Sequence, residues 1–194
     1  GCSTDFVQHR QYHPGDSLRH LDWRLLGRTE KLFVRQFEAH TNSRISVVLD
    51  VSGSMSYRAE SLTKHEFAVR TAAILCFLAY VHRDAASLAT FRTGLATHVP
   101  FGSGPAHLHR LLGALLAERP AAGTDFEQGL AGALAHVRRR GLTVVLSDFM
   151  DEPEAIVKRL SRLRFQGSDV IAMQVYEPAE RELDFTTVTR FHDP

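Results

Sequence analysis

The sequence predicts an α/β fold: a doubly wound, mostly parallel sheet with helices on both faces. Three observations carry this. Short apolar runs recur at Ile45–Leu49, Ala86–Phe91, Leu142–Leu146 and Val170–Tyr176. Such runs, apolar along their whole length, mark strands buried on both faces of a parallel sheet. Longer stretches of helical spacing separate them, and strands alternating with helices build an open sheet covered on both sides. No internal repeat or low-complexity tract breaks the alternation.

A chain of 194 residues fits one domain with an attached segment. The texture changes near residue 43, giving a predicted N-terminal segment over 1–43 and an α/β domain over 44–194. The first segment is dense in charge and aromatics. Leu21, Trp23, Leu25, Leu32, Phe33 and Phe37 give it too much apolar surface for a free arm, so it is expected to dock on the domain. Its arginines and Lys31 are interleaved with Asp5, Asp16, Asp22, Glu30 and Glu38. With a net charge of +1, this argues for internal ion pairs rather than a nucleic-acid surface. The two cysteines, Cys2 and Cys76, form no metal or redox pair. A reducing compartment, the cytoplasm, is the expected location, with Cys76 a core thiol. There is no signal peptide. The longest uncharged apolar run, Thr71–Val81, is too short to span a bilayer. The chain has no initiator Met and is expected to be part of a longer protein.

In chain order, His13-Pro14-Gly15-Asp16 is a turn, with Asp16 or Ser17 able to cap one or two helical turns over Ser17–Leu26. Lys31–Glu38 alternates partly and predicts a half-exposed strand. After the strand at Ile45–Leu49, the spacing predicts a helix over Thr63–His82. Phe67, Ile74, Leu75, Leu78 and Val81 are expected to face the sheet. Ala86–Phe91 is a strand and Gly94 a turn, with Ala96–Phe101 an edge hairpin partner. Helices follow over Ala106–Glu118, Phe126–Arg139 and Glu152–Gln166, the last with Pro153 at its tolerated first position. Leu142–Leu146 and Val170–Tyr176 are strands between and after them. Phe185–Phe191 alternates and is expected to form an edge strand.

The chemistry lies at the strand ends. Asp50, Ser52 and Ser54 leave the first domain strand as D-x-S-x-S, where open α/β sheets collect ligands. One carboxylate and two hydroxyls suit a hard divalent cation. An ordinary turn, with Asp and Ser bonding the local backbone, would carry the same pentad. Thr124, in a loop before a helix, and Asp148, past a later strand, add two more oxygen donors expected on the same rim. This set, in this chain order, resembles the metal-ion-dependent adhesion site (MIDAS) of von Willebrand factor A domains. Asp50, Ser52 and Ser54 match its first loop, Thr124 its second and Asp148 its third. The resemblance implies a site in which the hydroxyls of Ser52, Ser54 and Thr124 bind the ion directly. Asp50 and Asp148 would act mainly through water. Magnesium suits it best, with manganese or calcium as alternatives, and an open position would take an acidic side chain of a partner protein.

The N-terminal segment resembles a narrower family. Arg10-x-Tyr12-x-Pro14-Gly15-Asp16, Arg19-x-Leu21-Asp22-Trp23-Arg24, Arg28-Thr29 and Lys31-Leu32-x-Val34-Arg35 are similar to the signature of the bacterial family called domain of unknown function fifty-eight. Pro178-Ala179-Glu180-Arg181-Glu182-Leu183 looks like it too. The resemblance implies a von Willebrand A-like fold. It also implies work as an adaptor or maturation factor beside a MoxR-type AAA+ ATPase.

Other chemistries find less support. A magnesium-dependent hydrolase or phosphotransferase of the aspartate-nucleophile kind needs a second Asp two residues after the first, and Ser52 stands there. Gly53-Ser54 does not complete a nucleophile elbow. No glycine-rich phosphate loop is present. His107 and His109 diverge on a helix, and the other histidines show no ligand spacing. A protein-interaction module is therefore expected in preference to an enzyme.

Overall fold

The computed structural model describes residues 3–40, 43–58, 62–121, 125–137 and 140–182, with side chains for the same residues except 3–7, 35–40 and 181–182. The chain divides into two compact units, Gly1–Asn42 and Ser43–Pro194.

In the first unit, β1 (Ser3–Gln11) pairs antiparallel with β2 (Phe33–His40), and α1 (Trp23–Thr29) lies between them in sequence. The sequence hides β1 because its run is mostly polar; pairing with β2, not burial of both faces, makes it a strand. The helix starts where Asp22 accepts from the Arg24 and Leu25 amides, an N-cap that Asp16 and Ser17 do not provide. It ends at Glu30, which adopts a left-handed conformation with φ 56°. Asp16 instead closes the Pro14-Gly15 turn. It accepts from the His13 amide and from Arg10, at 2.9 and 2.8 Å, and both bonds hold its carboxyl below the usual range. Leu21 and Val34 are buried and bridged to each other.

The second unit holds one five-stranded sheet. In chain order come β3 (Arg44–Asp50), α2 (Lys64–Val81), β4 (Ala85–Phe91), β5 (Leu95–Gly102), α3 (Pro105–Ala117), α4 (Phe126–Leu134), β6 (Leu142–Ser147), α5 (Pro153–Phe165), β7 (Asp169–Gln174) and α6 (Pro178–Glu182). The sheet order is β5-β4-β3-β6-β7, and only the β4–β5 hairpin is antiparallel. The expected fold class is therefore observed. The helix predicted to Arg139 stops at Leu134, and Pro178 opens a short helix rather than a plain turn. Phe185–Phe191 lies outside the described residues.

Alternation along the central strands fills two cores, because successive side chains leave a strand on opposite faces. Val47 and Leu49 join Ala68, Ala72, Cys76 and Ala79 of α2 with Leu111 and Leu115 of α3. Val48 and Val145 join Phe91, Phe126, Leu130 and Ala133. One expectation is corrected here. Phe67, Ile74, Leu78 and Val81 do not face the sheet; they are 45–59% exposed, and the small residues of α2 are buried instead. The helix is apolar around its circumference, so periodicity could not select its face. Alanines let its backbone approach the sheet closely. On the other face, α4 approaches closely through Gly129. A Cβ there would lie 2.2 Å from the Arg92 carbonyl oxygen.

Candidate metal centre

The chain leaves β3 toward β4 on one side of the sheet and returns to place β6 on the other. The carboxyl ends of β3 and β6 thus flank the topological switch point, where a crevice opens in sheets of this kind. Asp50 ends β3, and Ser147 ends β6 with Asp148 next.

Asp50 is 1% exposed. One carboxylate oxygen accepts from the Ser52 amide at 2.9 Å, and the other accepts from the Ser147 hydroxyl at 2.6 Å. Burial raises its pKa, and the bonds from Ser147 and Ser52 oppose that rise without cancelling it. The carboxylate is thus clamped as a charge behind the first loop.

Past it, a short 3-10 turn over Gly53–Ser56 brings the Ser52 and Ser54 hydroxyl oxygens to 3.1 Å of each other. Ser52 is buried and Ser54 half-buried, so the pair opens toward solvent at Ser54. Ala121 pairs with this loop: it bridges Ser52, and its amide donates to the Val51 carbonyl at 3.3 Å. Asp125 caps α4 by accepting from the Gln128 amide. Thr124, the predicted second-loop donor, lies outside the described residues.

Asp148 is 4% exposed and accepts from the Lys64 ammonium at 2.9 Å. Its backbone carbonyl accepts from the Gln174 amide group at 3.2 Å. The next residue, Phe149, has φ 52°, a strained conformation for a bulky side chain. Its amide donates to the Ser147 hydroxyl, and its ring packs edge-on to Phe126 at 6.0 Å, which hold it there.

Lys64, the first residue of α2, is 2% exposed. Its ammonium is shared between Asp148 and Glu180 of α6, at 2.9 and 2.8 Å. Burial works against the charge, but the hydrogen bonds to Glu180 and Asp148 outweigh it and hold the pKa above the usual lysine range. Sequence reasoning missed Lys64, Ser147 and Glu180. A lysine at a helix start ordinarily lies in solvent. The one available signal was its sign, since a cation at a helix N-terminus opposes the dipole.

The residues present fit a small divalent cation. Oxygens at about 2.0–2.1 Å from magnesium in octahedral geometry stand about 2.9 Å apart along an edge. The Ser52–Ser54 separation of 3.1 Å is close to that edge. Among the described residues no group of three or more His, Cys, Asp and Glu side chains is placed to hold a metal. Hydroxyls would be the direct ligands here, with Asp50 and Asp148 as charges behind them.

Similar folds occur in solved structures. The protein BatB from Bacteroides thetaiotaomicron matches with a TM-score of 0.56 at 16% identity, over 68% of this chain and 66% of that one. A von Willebrand factor type A protein from Catenulispora acidiphila matches with a TM-score of 0.50 at 12% identity, over 73% of this chain and 35% of that one. The α/β unit is thus a von Willebrand factor A-like domain. The chain belongs to the family described as protein of unknown function DUF58, whose model matches residues 8–194. The uncharacterized protein Mb1516 of Mycobacterium bovis is 30% identical over 187 residues, which are 94% of this chain and 58% of that protein. The chain therefore spans little more than half the length of that relative. Among the described residues, no helix is long and apolar enough to cross a membrane.

Proposed function

We propose that the chain is a protein-interaction module that works through a divalent cation, magnesium before manganese or calcium. In this reading the Ser52, Ser54 and Thr124 hydroxyls hold the ion at the carboxyl ends of β3 and β6. Asp50 and Asp148 orient its waters, and an acidic side chain of a partner protein takes the open position. The observation that carries the reading is the pair of hydroxyl oxygens 3.1 Å apart on the loop leaving β3, backed by the clamped carboxylate of Asp50. The partner class is the one implied by the sequence resemblance, a MoxR-type AAA+ ATPase, with this chain as adaptor or maturation factor. A reducing, cytoplasmic setting belongs to the same reading and is supported by Cys76, a buried free thiol whose pKa burial pushes up to about 11.

The test is capture of a purified MoxR-type ATPase on immobilised protein, in magnesium and in excess chelator. Binding is expected in magnesium alone. It should be lost in a Ser52→Ala/Ser54→Ala double variant and weakened in Thr124→Val. Full-strength binding in chelator would overturn the reading.

A further inference from the structure

A cation site gains nothing from a buried ammonium beside one of its carboxylates, yet Lys64 stands there. Its position opposes the dipole of α2, and a buried charge is costly wherever it lacks a partner. Lys64 therefore needs a carboxylate at all times. Asp148 is one, at 2.9 Å, and Glu180 is the other, at 2.8 Å. Glu180 is held for that task. Its second oxygen accepts from the Glu177 amide at 2.9 Å, which fixes the carboxylate across the first turn of α6.

We propose that Glu180 is the acceptor that keeps Lys64 paired when Asp148 turns its charge to a bound divalent cation, so that cation binding and attachment of α6 to the rim strengthen each other. This rests on the cation site proposed above. Without the ion, the ammonium is divided between two carboxylates. With it, Asp148 is engaged by the ion and its waters, and Lys64 draws Glu180 closer. Coupling between two binding events is reciprocal, so Glu180 favours the ion by the same factor as the ion favours α6. A site lacking Glu180 would have to strip Lys64 of its only counter-charge in order to bind.

The experiment uses the full chain, with magnesium alone as titrant. Calorimetry reads affinity, and amide hydrogen exchange of peptides covering Pro178–Glu182 reads the hold on α6. In the wild type, saturating magnesium is expected to slow α6 exchange at least about fivefold, the lower end of usual coupling. Glu180→Gln keeps the shape of a partly exposed side chain and is expected to fold. It should bind magnesium at least about fivefold more weakly and show no added protection. Lys64→Met should bind magnesium no more weakly than wild type, with α6 exchange indifferent to the ion. Equal affinity in wild type and Glu180→Gln, or wild-type α6 exchange unmoved by magnesium, would overturn the coupling and leave the cation site standing. No magnesium binding by the wild type would overturn both.

Discussion

At the residue scale, Asp50 shows how a site side chain becomes part of the fold. It is the acceptor for both the Ser52 amide and the Ser147 hydroxyl, within a buried setting. Asp50→Ala would leave two buried donors without an acceptor, at about 1–3 kcal/mol each. Asp50→Asn keeps one carbonyl oxygen and should be less destabilising, yet it removes the charge behind the hydroxyls. Magnesium binding is expected to be lost in both variants. Denaturant unfolding should place Asn between wild type and Ala in stability, and an Ala variant as stable as wild type would contradict the clamp. The residue types of this site were legible in the sequence, because strand ends and oxygen donors can be read from spacing. The clamp was not. Ser147 and Lys64 reach Asp50 and Asp148 across 97 and 84 residues of chain, and no local pattern encodes such pairings.

At the element scale, the buried strands were legible because β3 and β6 are apolar on both faces, whereas the buried face of α2 had to be decided by packing. Two predictions belong here. His65, near the start of α2, is buried, and burial lowers its pKa; its Nε2 faces the Glu118 carbonyl at 3.3 Å, while its Nδ1 has no partner. The unfolded chain takes up a proton near the ordinary histidine pKa of about 6.5, while the folded one resists. Stability should therefore fall as pH drops below about 6.5. His65→Leu should keep its stability at pH 7 to within about 1 kcal/mol, since it trades one long hydrogen bond for loss of an orphaned nitrogen. Its unfolding free energy should decline less steeply between about pH 6.5 and 5. A slope equal to wild type would assign the effect elsewhere, His98 being the other histidine whose pKa burial lowers. On α4, Gly129→Ala would drive a methyl into the Arg92 carbonyl. It should cost about 1–3 kcal/mol and, because Asp125 at the head of the same helix adjoins the Thr124 loop, weaken magnesium binding measured by calorimetry.

At the scale of the whole molecule, both apolar clusters lie within Ser43–Pro194. That unit expressed alone should unfold in one cooperative transition and bind magnesium as the full chain does; a molten fragment by near-UV circular dichroism would make Gly1–Asn42 part of its core. The expected docking of the first segment is checked by limited proteolysis, with prompt clipping within Leu18–Phe37 counting against it. The β3–β6 ladder has one more consequence, and it concerns time. Asp50 and Ser147 meet only after a loop of nearly a hundred residues has closed, since they stand 97 apart in the chain. Parallel pairing at such separation is slow, whereas helices and the β4–β5 hairpin form from local contacts. During refolding, far-UV ellipticity should thus recover before magnesium affinity does. A chain emerging from the ribosome would carry the first loop of its site, exposed and incomplete, until β6 had been synthesised and inserted beside β3.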